Sequence, residues 1–202
     1  MNKQKDLFLQ KSKSWDMHSK RVKNAKSIAS LIVEKIALDK QMTLMDFGAG
    51  TGLLSFFISQ KVGKIVAVDN SPSMLAMLKT KTNEFASEVE IIEKDLSITS
   101  IPRTFDGIIS SMTIHHLDDT LALFKKLYDM LEEGGFIAIA DLDSEDGTFH
   151  SDNTGVFHHG FDRGLLQNMA TQVGFKHIHF ETASTIEKPH QSFTVFLMTA
   201  YR

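Results

Sequence analysis

Apolar positions recur along this chain in two rhythms. Ala25, Ile28, Ala29, Ile32, Val33, Ile36 and Ala37 fall at helical spacing between Lys and Glu, which predicts an amphipathic helix over 17–38. Short apolar runs then alternate with helical patterns. The runs are 44–47, "KIVAVD" (64–69), "EVEIIEKD" (88–95), "FDGIISSM" (105–112) and "FIAIAD" (136–141). Such runs read as strands of a parallel sheet covered on both faces. The helical patterns are 53–60, 71–85, 118–131 and 161–175. Ser71 and Pro72 supply a cap and a first helical position, and Gly174 a stop. The connection after the third strand carries little helical signal. "KHIHFET" (176–182) and "SFTVFLMTA" (192–200) are strand-like with no helical periodicity between them, so they pair antiparallel. The sum is an α/β three-layer sandwich: a seven-stranded, mostly parallel sheet with a C-terminal antiparallel β-hairpin at its edge.

The 202 residues fit one domain, 1–202, with an N-terminal helical cap over 1–40. The segment 142–160, "LDSEDGTFHSDNTGVFHHG", is a long polar insert of the kind that forms lids or stays disordered. Phe149, Phe157 and Phe161 could give it an apolar inner side. The absence of cysteine excludes disulfides, thiolate metal sites and a Cys nucleophile. No apolar run approaches the ~18 residues of a membrane span, and the first residues lack the apolar core of a secretory signal. A cytoplasmic protein is expected. Its net charge of −3 is uneven: residues 1–26 hold eight Lys/Arg, Lys3 and Lys5 among them, against two acids. That basic end could meet phosphates or a membrane surface, or be a solvated helix face. The acidic remainder argues against a nucleic-acid footprint. No pattern fixes an oligomeric state.

The informative stretch is "LMDFGAGTGLL" (44–54), three glycines at every second position between a strand and a helix. Ligands of open α/β sheets bind at such a loop, where glycine backbone can press against them. A dinucleotide fingerprint needs a small residue where Leu53 stands. Asp69 closes the second strand, placed to accept hydrogen bonds from a ribose diol. The spacing therefore favours one nucleoside with a short zwitterionic tail.

"LMDFGAGTGLLS", "VAVDNSPSML", "KDLS", "FDGIISSMTIHHL" and "LEEGGFIAIAD" together resemble the successive motifs of class I S-adenosylmethionine-dependent methyltransferases, over residues 40–141. The resemblance implies a Rossmann-like fold, S-adenosyl-L-methionine as donor, S-adenosyl-L-homocysteine as product and a small-molecule acceptor. It implies that Asp46, Gly48, Ala49, Gly50 and Gly52 hold the amino acid end of the donor. Asp69, with Asn70 beside it, would bind the ribose. Ser71 and Met74 would pack the adenine, and Asp95 with the backbone of Leu96 would meet its amine. Ser110 or Ser111 would line the sulfonium region, one of the two facing away. Plainer readings stand beside these: Asp46 caps a turn, Met74 is core, and Asp95 caps the segment after its strand.

Methyl transfer needs an aligned acceptor more than a triad, and a base only where the acceptor's proton demands one. His115 or His116 in "TIHHLDD" could be that base; alternatively one of them caps the next helix or fills the loop. Asp141, Asp143, His150, His158 and His159 could bind a metal, but their spacing favours a substrate wall, and no metal is expected. Trp15 and Asp16 could roof the pocket, or Trp15 could anchor the first helix. An RNA or protein methyltransferase, supported only by the basic leader, and a binding protein without turnover are the rival readings. An NAD-dependent oxidoreductase is disfavoured by Leu53.

Overall fold

Thr43–Phe47 (β1) and Lys64–Asp69 (β2) are parallel neighbours, and Ile65, Val66, Ala67 and Val68 are completely buried, as a sheet covered on both faces requires. The computed structural model describes residue 6 and residues 8–202. Lys3 and Lys5 of the basic leader, and the start of the expected cap, lie outside the described residues. Glu88–Glu93 (β3) extends the sheet beyond β2. On the other side of β1 stand Phe105–Ser111 (β4) and Leu131–Leu142 (β5), both parallel to it. Lys176–Lys188 (β6) and Gln191–Tyr201 (β7) form the antiparallel hairpin, with β7 inserted between β5 and β6. The strand order is β3-β2-β1-β4-β5-β7-β6.

Among the described residues five α-helices cover the faces: Ser19–Lys35 (α1), Leu53–Ile58 (α2), Pro72–Lys79 (α3), Thr120–Asp129 (α4) and Arg163–Val173 (α5). The stripe of α1 puts Ile28 and Ile32 against Leu44, Ile65 and Ile109. On the opposite face α4 puts Leu123, Phe124 and Leu127 against Ile108, Ile137 and Ile139. Each such side chain contributes roughly 1.5–3 kcal/mol by leaving water. Ser71 caps α3, accepting the Met74 amide, and Asp119 and Asp162 cap α4 and α5 in the same way. Gly174 ends α5 in the left-handed region, φ 116°.

Three boundaries differ most from the sequence reading. The helix expected over 71–85 stops at Lys79, and a short 3-10 turn, Thr82–Glu84, follows, because the buried stripe ends at Leu78. Strand β5 begins at Leu131, which pairs with Phe105; the "EEGG" turn is a bulge within it, before regular pairing resumes at Phe136. Strand β6 runs on to Lys188, leaving only Pro189 and His190 as the hairpin turn. As an edge strand it is mostly exposed, so the apolar alternation that marks other strands is missing from it.

The chain leaves β1 toward β2 on one side and returns through β4 on the other. This is the switch point where open α/β sheets bind ligands, at the carboxyl ends of the strands. The 142–160 insert crosses the same end without helix or strand of its own. Its base is closed by a bridge between Asp143 and Phe161 and by the fork of Arg163 on Asp143, at 2.7 Å to each oxygen.

Candidate active site

The glycine loop takes left-handed backbone at Gly48, Gly50 and Gly52, φ 69°, 56° and 81°. A Cβ on Gly48 would stand 2.1 Å from the Thr113 side chain, and one on Gly52 would stand 2.5 Å from Leu78. At Gly50 nothing lies within 4 Å of that position. The outer glycines thus let neighbours pack, and the middle one presents bare backbone to the crevice. Gly48→Ala is expected to cost about 2 kcal/mol of stability through strained backbone and displacement of Thr113. Chemical denaturation would measure it, and an unchanged midpoint would contradict the packing role.

The Gly48 and Ala49 amides both donate to the Val68 carbonyl, which fastens the loop to β2. The Gly50 amide donates to Asp69 Oδ2 at 2.8 Å, and the Ser71 amide to Oδ1 at 2.8 Å. Burial pushes the Asp69 carboxyl above its ordinary range, against the lowering effect of these amides, and the Asp6 carboxylate adds to the upward push. Each oxygen keeps acceptor capacity for a further donor.

Asp46, at 1% exposure, sits behind the loop rather than on its surface. The Ser55 hydroxyl of α2 donates to it at 2.5 Å, a partner that sequence reasoning missed. Burial pushes this carboxyl from an ordinary 3.8 up to about 7, with Ser55 opposing the shift and Asp69 adding to it.

Asp95 accepts from the Ser97 amide and hydroxyl, so it does cap the segment after β3, and Asn70 Nδ2 also reaches it at 3.3 Å. Met74 and Leu96 are buried, Leu96 within the core cluster of α4. Ser110 needs correction as the crevice-lining serine: it is fully buried and its hydroxyl donates to the Phe47 carbonyl at 2.7 Å. Ser111 is the more open of the two.

A strap from the N-terminal segment lies across the strand ends. The Asp6 carboxylate accepts from the Ser71 hydroxyl at 2.8 Å and from the Ser73 amide at 3.0 Å, at the start of α3. Burial pushes Asp6 up, but these bonds and that of the Phe8 amide outweigh it and hold the carboxyl below its ordinary range. The Phe8 ring meets Trp15 and His116 edge-on, at 6.0 and 5.7 Å. Asp16, in a 3-10 turn at Ser12–Met17, accepts from the Thr51 hydroxyl at 2.5 Å and pairs with Lys81. Trp15 stacks under the Arg21 guanidinium at 3.8 Å and so also anchors α1. The open surface hollows lie elsewhere, one lined by Lys35, His177 and Glu181, the other along α1. Their polar rims bear no relation to the glycine loop.

Beyond β4, both histidines serve the loop rather than a cap. His115, at 1% exposure, has Nδ1 at 2.7 Å from Asp141 Oδ1, and its own amide donates to the same carboxylate. Burial would raise Asp141, but the charge and hydrogen bonds of His115, with the Leu142 amide, hold it below its ordinary range. His116 Nδ1 lies 2.7 Å from the Gly155 carbonyl, and the Phe157 and His158 amides donate to the His115 carbonyl. The insert is therefore pinned onto the histidine turn. His150 completes the group, its ring 5.0 Å from His115 and 5.9 Å from His116. Burial, then the neighbouring histidines, lower His116 and take His150 down to about 4. Phe149 packs on Phe193 and Phe161 is buried, as an inner wall requires, whereas Phe157 points to solvent and is corrected. His159 is exposed, against the Gly147 position, and His158 bonds the Asp118 carbonyl. Among the described residues no group of three or more His, Cys, Asp or Glu is arranged to hold a metal ion.

This is the arrangement of a methyltransferase domain, and the family profile of that description matches residues 19–192. The chain belongs to that family, in its class I S-adenosylmethionine-dependent form. It is 28% identical over 182 residues to the malonyl-[acyl-carrier protein] O-methyltransferase of Priestia megaterium, covering 87% of this chain and 64% of that one. It is 28% identical over 152 residues to phosphoethanolamine N-methyltransferase 1 of Zea mays, covering 72% of this chain and 30% of that one. The chain thus spans less than two thirds of these relatives. The solved structure of Haemonchus contortus phosphoethanolamine N-methyltransferase 2, in complex with S-adenosyl-L-methionine, superposes with a TM-score of 0.71 at 16% identity. That superposition covers 98% of this chain and 59% of the other, and it shows the shared fold. Among the described residues no helix is long and apolar enough to cross a membrane.

Proposed function

We propose that this domain transfers a methyl group from S-adenosylmethionine to a small-molecule acceptor, in a cytoplasmic setting. The observation that carries the reading is the joint between Asp69 and Gly50, which brings a carboxylate and bare backbone to one crevice. These residues fit the donor: the Gly48–Gly52 loop would hold its amino acid end, propped from behind by Asp46. Asp69 would take the ribose hydroxyls, and Asp95 with Asn70 would flank the adenine near Ser71 and Met74. Bound there, S-adenosylmethionine supplies a methyl group already activated on a sulfonium. The protein's task is then to orient the acceptor and keep water away. The strap and the insert supply the cover from two sides, through Phe8 and His150 about His116. The strap and the insert, crossing the strand ends from two sides, favour a small molecule over RNA or protein.

Titration calorimetry with S-adenosylmethionine, S-adenosylhomocysteine and NADH tests the donor site, and turnover on a metabolite panel separates an enzyme from a binding protein. Binding of NADH in preference to the other two would overturn the reading. Trp15 is the sole tryptophan of the chain, so its emission reports on the strap. Saturating S-adenosylhomocysteine is expected to shift that emission. An unchanged spectrum, with binding verified by calorimetry, would detach the strap from the donor site.

A further inference from the structure

Three imidazoles meet where the strap, the insert and the β4 turn converge, and their hydrogen-bond partners fix which atoms remain for a ligand. Asp141 and the Gly155 carbonyl can only accept, so in neutral His115 and His116 the proton sits on Nδ1 and a lone pair on Nε2. Nε2 of His115 is buried without a partner, and so is Nε2 of His150. A buried polar atom without a partner is costly, and that cost is recovered when a ligand supplies the missing hydrogen. At His116, which adjoins His115 at 4.1 Å between rings, the charge of Asp141 outweighs that of Lys11; Lys188 reaches mainly His150.

We propose that the cluster of His115, His116 and His150 receives the amino group of a primary or secondary amine acceptor, and that His115, held by Asp141, takes its proton at Nε2. The proposal rests on the methyltransferase reading above and names the acceptor class for the same site. A carboxylate brings no hydrogen and would face lone pairs beside a buried aspartate. An alcohol brings one, but it carries no positive charge for the buried Asp141 to draw, and its proton, near that of water at ~16, gives an imidazole less driving force. An alkylammonium, near ~10, is within reach and is also drawn by the negative charge of Asp141. Loss of one N–H proton to His115 leaves the amine lone pair free. That pair forms the N–C bond as the C–S bond of the donor breaks and its electrons return to sulfur, giving a neutral thioether and a methylated ammonium. The imidazolium stays paired with Asp141 and releases its proton to solvent when the insert opens.

The test uses 15N NMR of the histidine rings in the whole protein saturated with S-adenosylhomocysteine, titrated separately with ethylammonium, ethanol and acetate. His115 and His116 are expected to carry their protons on Nδ1, and only ethylammonium is expected to move the Nε2 signals of His115 and His150. In parallel, turnover with S-adenosylmethionine is compared across small amines and their matched alcohols and carboxylic acids. Methylation is expected for the amines, with His115→Gln lowering kcat at least a hundredfold while the donor Kd stays within twofold. His150→Phe is expected to raise KM for the amine about tenfold and leave the His115 tautomer intact. An Nε2 proton on neutral His115, signals moved by acetate or ethanol, or faster methylation of alcohols or acids would each overturn the proposal. Failure to bind S-adenosylhomocysteine by calorimetry would instead remove the donor reading, and the ring titration would then be read in the free protein.

Discussion

Asp69→Ala is expected to weaken S-adenosylmethionine binding by about 2–4 kcal/mol, roughly 30- to 700-fold, measured by titration calorimetry. Two losses combine. The ribose hydroxyls lose charged acceptors, each worth roughly 1.5–3 kcal/mol. The Gly50 and Ser71 amides, both held at 2.8 Å, lose the group that sets the loop against the start of α3. Stability should respond far less, because burial already penalises the ionised carboxyl in the folded state. The discriminating result is therefore an affinity that collapses while the melting temperature moves by a few degrees. Wild-type affinity in this variant would remove Asp69 from the ribose.

The second large effect concerns Asp46 and pH. The folded protein holds this proton up to about 7, whereas the unfolded chain releases it near 3.8. Between those values the folded state binds more protons than the unfolded one, so stability falls as pH rises from about 4 to about 7 and is level above. The interval corresponds to roughly 4 kcal/mol for the single group. Asp46→Asn cannot ionise. Its carbonyl can still accept from Ser55, but the amide NH2 gains no partner, at about 1–3 kcal/mol. Measured by denaturant unfolding without donor, the variant is expected to equal or exceed the wild type at pH 8 and to be the less stable protein at pH 4. Parallel pH profiles for the two proteins would show that Asp46 titrates normally.

Where a property is local, the sequence made it legible. "KIVAVD" is buried on both faces and reads as a strand at both ends without error. Ser71-Pro72 opens α3 and Gly174 closes α5, since capping depends on one or two residues and their neighbours. The glycine loop declared itself through spacing. Edges were illegible for a physical reason: β6 is exposed along much of its length, so no burial pattern marks where it ends. At Ser110 and Ser111 the alternation said that one faces inward, but only the hydrogen bond to Phe47 decided which.

The sequence by itself determined the order of strands and helices, the hairpin that follows α5 and the position of the glycine loop. Each follows from periodicity, capping or glycine spacing within a few residues. Only the tertiary structure decided that Asp141 holds His115, that His150 joins them, that Ser55 stands against Asp46, and that Asp6 and Asp16 reach Ser71 and Thr51. Most of these partners are tens of residues apart in the chain. Even Ser55 and Asp46 meet only because the loop folds α2 back over β1. The pairings depend on which strand ends the sheet brings together and on how the strap crosses them, and neither leaves a mark in the local pattern of side chains.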